Sequence, residues 1–211
     1  MKHLVLLLTF GCAAQETTVV ETPLAAVEAP PVLVESPSPG RAELDAGMQA
    51  LGNGELDRGI DLCEEALLLA ASNDELRAET HTWLVHAYTL VDDPDSALAH
   101  VVLAIELHPE DPWLRYSQGI AYQKLGLFDD ALDSLEQAIT LDPLHIKACQ
   151  WRAHILQAQE RYSESIEDWN RALEILDQTD EAVVASWGGD KAAMIETCTR
   201  AISECQGVLG E

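Results

Sequence analysis

The sequence predicts an all-α solenoid of stacked helix pairs. Three observations carry this. Pro109 and Pro143 lie 34 residues apart, a period at which helix-turn-helix units stack on one another. Small residues keep the same interval, with Ala97 and Ala104 recurring as Ala131 and Ala138. Only Phe10 and Phe128 are phenylalanine in a chain of 211 residues, so helix contacts must rely on Ala, Leu, Ile and Val, which suits short close-packed helices better than a sheet.

The chain opens MKHLVLLLTF, a basic start and an apolar run, and continues Gly11-Cys12-Ala13-Ala14. The run is far shorter than the ~18 to 20 apolar residues that span a bilayer and fits the ~7 to 15 of a secretory signal core. Because it ends in Gly-Cys, it resembles a bacterial lipoprotein signal over residues 1–11, which implies lipidation of Cys12. Ordinary cleavage after Ala14, with Cys12 and Ala14 as the small pair, is the alternative. Residues 12–40 read as a Pro/Glu/Thr tether: Gln15 to Gly40 gathers five of the nine prolines without helical periodicity. Proline removes donors and fixes φ, so an extended, unfolded chain is expected there. The 26 residues from Gln15 to Gly40 would reach at most ~80 Å at ~3.1 Å per residue. A tether placed directly after a lipid site would lift the folded part off a membrane.

Residues 41–179 hold the repeats, with units at 40–73, 78–111, 112–145 and 146–179. The clearest is Pro112 to His145, where Gly119, Tyr122, Ala131, Leu135, Ala138 and Pro143 occupy the small, aromatic, Ala, large apolar, Ala and Pro positions of a 34-residue helical repeat. The preceding unit repeats the register with Val85, Tyr88, Ala97, Val101, Ala104 and Pro109. A fainter first copy carries Gly47, Gly54, Gly59, Cys63 and Ala66, and Asp74 to Arg77 are in excess before the second. The fourth shows Ala153, Tyr162, Ser165, Trp169 and Ala172, with Asp177 in place of the closing proline. Asp93-Pro94 and Asp111-Pro112 set an N-cap acceptor before Pro at a first helical position. Gly126 follows Leu125 as a helix-ending residue. Residues 180–211 leave the register; Gly188-Gly189 predicts a hairpin turn and Asp190 caps a helix through Met194, Ile195, Cys198, Ile202 and Leu209, a terminal capping hairpin.

On these motifs the chain resembles the tetratricopeptide repeat family. The resemblance implies a right-handed helical solenoid of about four units plus a cap, and a non-enzymatic protein that binds peptide segments on its concave face. With the N-terminal signal, the build is similar to bacterial envelope lipoproteins of this family that assist pilus or secretin assembly or dock cell-wall hydrolases. A soluble periplasmic or cytoplasmic chaperone or oligomerisation module is the alternative.

In a unit numbered from Pro112, positions 4, 7, 8 and 11 of the first helix share one arc and are expected to face the second helix. The opposite arc is the face that the family uses as its groove. It carries Trp83 and His86 from the second unit, and Trp113, Tyr116, Ile120, Gln123 and Lys124 from the third. The fourth adds Gln150, Trp151 and His154. Exposed aromatic residues are typical binding anchors, and such a face fits an apolar or mixed peptide. Packing of Trp83 and Trp151 between helices is the competing expectation, and Trp169, on a second helix, is expected in the core.

The formal charge is −25, from 37 Asp and Glu against 12 Lys and Arg. No basic stripe exists to displace counterions from phosphates, so nucleic acid is excluded as a partner, and anionic membranes repel the chain except through an N-terminal lipid. No G-x-S-x-G, Walker loop, H-E-x-x-H or C-x-x-C occurs, so neither a catalytic residue nor a cofactor is expected. His86 and His154 stand two units apart and cannot share a metal; His81, His100, His108 and His145 form no i, i+4 pair and read as surface or capping residues. Cys63, Cys149, Cys198 and Cys205 are expected as unpaired, buried thiols.

Overall fold

The computed structural model describes residues 38–186 and 188–210. The signal segment, Cys12, the tether before Ser38, and Trp187 lie outside the described residues. Ten helices make up the described chain: α1 Arg41–Gly52, α2 Leu56–Leu69, α3 Asp74–Leu90, α4 Pro94–Leu107, α5 Pro112–Lys124, α6 Phe128–Leu141, α7 Ile146–Ala158, α8 Tyr162–Gln178, α9 Glu181–Ser186 and α10 Lys191–Leu209. Each helix from α1 to α8 packs on its immediate neighbours in sequence, giving a tetratricopeptide-type solenoid of helix pairs. None of the described helices is long and apolar enough to cross a membrane.

The same turn closes the first helix of every pair. The N–H groups of Glu55, Asp93, Leu127 and Arg161 donate to the carbonyls of Ala50, Tyr88, Tyr122 and Leu156, each at 2.9 Å. This six-residue closure needs one left-handed residue. Gly54 (φ +80°) and Gly126 (φ +77°) supply it without strain, whereas Asp92 (φ +60°) and Glu160 (φ +62°) hold it with a side chain present. Entry into the helices is fixed by side-chain caps. Asp93 accepts from Ser96 N–H at 3.1 Å, Asp111 from Trp113 N–H at 2.8 Å, and Asn73 from Leu76 N–H at 3.1 Å. The Asn73 cap accounts for Asp74 to Arg77: they form the first turn of α3, which runs 17 residues against 13 in α5 and α7.

The core runs along the pairs. Gly119 lies so close to α6 that a Cβ there would fall 2.7 Å from Leu135 Cγ, and Gly47 is as tight against Cys63 Sγ at 2.8 Å. Within α5, Gln118 and Gly119 are buried as the single-helix arc predicts, while Arg115 and Tyr122 are only half-buried. Leu114 and Ala121 are buried as well, since α5 packs against both α4 and α6. Trp169 is fully buried, and so are Cys63, Cys149, Cys198 and Cys205, the free cysteines among the described residues.

One expectation needs correction. His81 is neither a surface nor a capping residue: it is buried, with Nδ1 3.0 Å from His100 Nδ1. The ring of His100 is stacked in turn on Tyr88 (5.4 Å between centroids, 9° between planes). The pairing joins α3 to α4, so positions along one helix could not disclose it. The C-terminal segment is the expected capping hairpin with a short first arm: Gly188, left-handed at φ +75°, turns the chain between α9 and α10, and Gly189 N–H donates to the Val184 carbonyl at 3.3 Å. Its first arm, α9, has six residues, and α10 packs along α8 through Cys198, Ala201 and Cys205. Asp190 caps α10 by accepting from Ala193 N–H at 2.8 Å.

Candidate functional site: the row of first helices

The residues expected to line a groove stand on α3, α5 and α7 in markedly different states. Trp113, the second residue of α5, is 51% exposed. Asp111 and Pro112 set its place by starting the helix one residue earlier. Tyr116, one turn on, meets Trp113 edge to face at 5.7 Å and is half-buried. Burial pushes its phenol up to about 12, so it stays neutral. Ile120 and Gln123 continue the row and are half-buried, and Lys124 ends it paired with Asp92 of the preceding unit.

On α3, Trp83 is half-buried against the core formed around Leu44, Leu51 and Leu84, with exposed His86 at its edge, 6.0 Å between centroids. On α7, Trp151 is half-buried against the C-terminal core. Gln150 Nε2 donates to Cys198 Sγ of α10 at 3.6 Å. His154 is exposed and stands edge-on to Trp169 at 4.7 Å. Trp83 and Trp151 are thus partly committed to packing, and α10 lies against α7 where the row ends. Of the tryptophan and tyrosine side chains in this row, only Trp113 is exposed rather than half-buried.

A cavity of about 610 Å³ opens beside Trp113, between the start of α5, the α6–α7 loop and the turn before α10. Leu144, His145, Lys147 and Met194 line it with Trp113. His145 caps α7: its Nδ1 accepts from Ala148 N–H at 3.2 Å. The ring lies 4.3 Å from Trp113 and 5.0 Å from Tyr116, and burial holds its pKa below the ordinary histidine value. The ammonium of Lys147 sits 5.6 Å over the Trp113 ring, a cation–π contact. The groove arc omits Leu144, His145 and Met194 because it considers only first helices, whereas this cavity is built at a junction. A usable signal exists nonetheless: Trp113 and Lys147 share the second position of their units, and Lys147 follows closely on His145.

A second cavity, about 420 Å³, lies between α6 and α8 and is lined by Asp129, Asp133, Glu136, Glu164, Glu167 and Asp168 with Arg152 and Arg161. Its arginines are occupied, Arg152 by Asp168 and Glu136 and Arg161 by Glu164. This is an internal brace across the pairs.

The tetratricopeptide repeat model matches residues 114–143, the α5–α6 unit that carries Tyr116 and Ile120. Among curated proteins, the chain is similar to small glutamine-rich tetratricopeptide repeat-containing protein 2 of Mycosarcoma maydis, 28% identical over 115 residues, covering 54% of this chain and 29% of that protein. It is also similar to tetratricopeptide repeat protein 13 of Homo sapiens, 32% identical over 113 residues, covering 50% of this chain and 13% of that protein. The chain therefore spans less than a third of the length of these relatives. Among solved structures, a crystal structure of MamA superposes with a TM-score of 0.62 at 22% identity, covering 68% of this chain and 81% of MamA. A second MamA structure gives 0.59 at 26% identity, covering 67% and 79%. Tetratricopeptide sequence in the central unit and the MamA-like path of the helices agree on the fold class.

Proposed function

We propose that the protein is a non-enzymatic scaffold that holds a segment of a protein partner along α3, α5 and α7, and that a lipid on Cys12 tethers it in a bacterial cell envelope, on the periplasmic side of the outer membrane. The observation that carries the binding half is the open aromatic and polar row of α5, Trp113, Tyr116, Ile120 and Gln123, with a cavity at its head. Tetratricopeptide solenoids present such rows of first helices to peptides or partner helices, and rigid aromatic side chains supply contact area at small entropic cost. The net charge of −25 disfavours nucleic acid as the ligand.

The tethering half rests on the Gly11-Cys12 ending of the apolar run and the proline-rich stretch behind it. Labelling with radioactive palmitate tests it. The expected result is lipid uptake and membrane sedimentation that both disappear in Cys12→Ser. Unchanged uptake and sedimentation in that variant would rule out Cys12 as the anchor.

A further inference from the structure

We propose that the cavity between Trp113, His145 and Met194 is the anchor pocket for a cationic partner segment, which inserts one apolar side chain there. The inference rests on the scaffold reading above and specifies the chemistry of the segment held.

The size and lining of the cavity come first. About 610 Å³ accommodates one or two side chains. Trp113, Leu144 and Met194 give it an apolar wall, and Leu144 is 63% exposed, a large apolar group with nothing described over it.

His145 completes the wall with a buried ring. It is only 3% exposed. Because Nδ1 accepts from Ala148 N–H, the neutral ring carries its proton on Nε2, on the edge turned away from that amide. Nε2 has no hydrogen-bond partner among the described residues. The nearby faces of Trp113 and Tyr116 offer only weak π acceptors. Nε2 is itself closed off, so the ring offers a bound segment packing surface rather than a hydrogen bond.

Charge then selects the kind of segment. Asp142 lines the cavity, while Asp111 caps α5 and Asp190 caps α10 beside it. The cavity wall has one cation, Lys147, held over Trp113. With −25 on the whole chain, an acidic segment is repelled during approach and a cationic one is drawn in.

The test is calorimetric titration of the full-length protein with three amidated synthetic hexapeptides, alternating Arg with Leu, Glu with Leu, and Arg with Ser. The Arg–Leu peptide is expected to bind at least about tenfold more tightly than the other two, and Leu144→Ser is expected to weaken it by a similar factor. The ¹⁵N resonance of His145 Nε2 should move on addition of Arg–Leu peptide. Equal or tighter binding of the Glu–Leu peptide, no binding of the Arg–Leu peptide, or full affinity in Leu144→Ser would overturn the pocket. Ile120→Ser lies in the row but outside the cavity. Loss of the native partner in Ile120→Ser while Leu144→Ser retains it would sink the pocket and leave the scaffold reading intact.

Discussion

Arg152 on α7 grips Asp168 on α8 with two hydrogen bonds, Nε to Oδ2 at 2.8 Å and Nη2 to Oδ1 at 2.6 Å, and the carboxylate is almost wholly out of solvent. Glu136 on α6 completes the brace on the same guanidinium. The fourth pair is thereby tied to the third through one side chain.

Breaking this brace from the arginine side leaves a buried carboxylate uncompensated. Arg152→Met should cost about 3 kcal/mol in urea unfolding, and the double variant with Asp168→Leu should recover a large part of it, because two apolar groups can replace a buried ion pair. A single variant as stable as the parent protein would show that Asp168 is not held by Arg152.

The repeated turn makes a second prediction. Glu160 occupies a left-handed conformation that Gly126 occupies in the unit before it. Glu160→Gly should leave the fold unchanged and raise stability by about 0.5–1 kcal/mol, the relief of strain less the entropy of glycine in the unfolded chain. Thermal unfolding monitored by circular dichroism checks the sign.

The buried His81–His100 contact predicts a pH dependence. Burial, with smaller contributions from His100 and Arg77, lowers His81 to about 4 from the ordinary 6.5. Burial likewise lowers His100, against an opposing pull from Glu64. Between these values the unfolded chain binds a proton that the folded chain refuses. Stability should therefore fall as pH drops from about 6.5 towards 4 and level off below, by roughly 3 kcal/mol for His81. In His81→Phe that fraction of the slope should vanish. A variant with an unaltered slope would place the titration elsewhere.

Much of the solenoid was legible because its punctuation is local. Asp93-Pro94, Asp111-Pro112 and Gly126 each act within one turn of the chain, and the structure uses them as N-caps and as a left-handed closure. Relationships between elements were not legible. His81 and His100 sit 19 residues apart on different helices, and their pairing depends on how α3 and α4 pack. A single-helix arc assigned α5 one buried face, whereas a helix inside a stack is covered from two sides, which is why Leu114 and Ala121 are buried too. In the row, Trp113 was visible from the 34-residue period, but the cavity beside it needs Leu144 from a loop and Met194 from the covering helix.

The central claim, that the α5 row holds a protein partner, is tested most directly by affinity capture from native cell extract with the parent protein and with Trp113→Ala combined with Tyr116→Ala, identifying captured proteins by mass spectrometry. The account predicts that a partner retained by the parent is lost by the double variant while its helical circular-dichroism signal persists. An unchanged set of captured partners, with that signal intact, would contradict it.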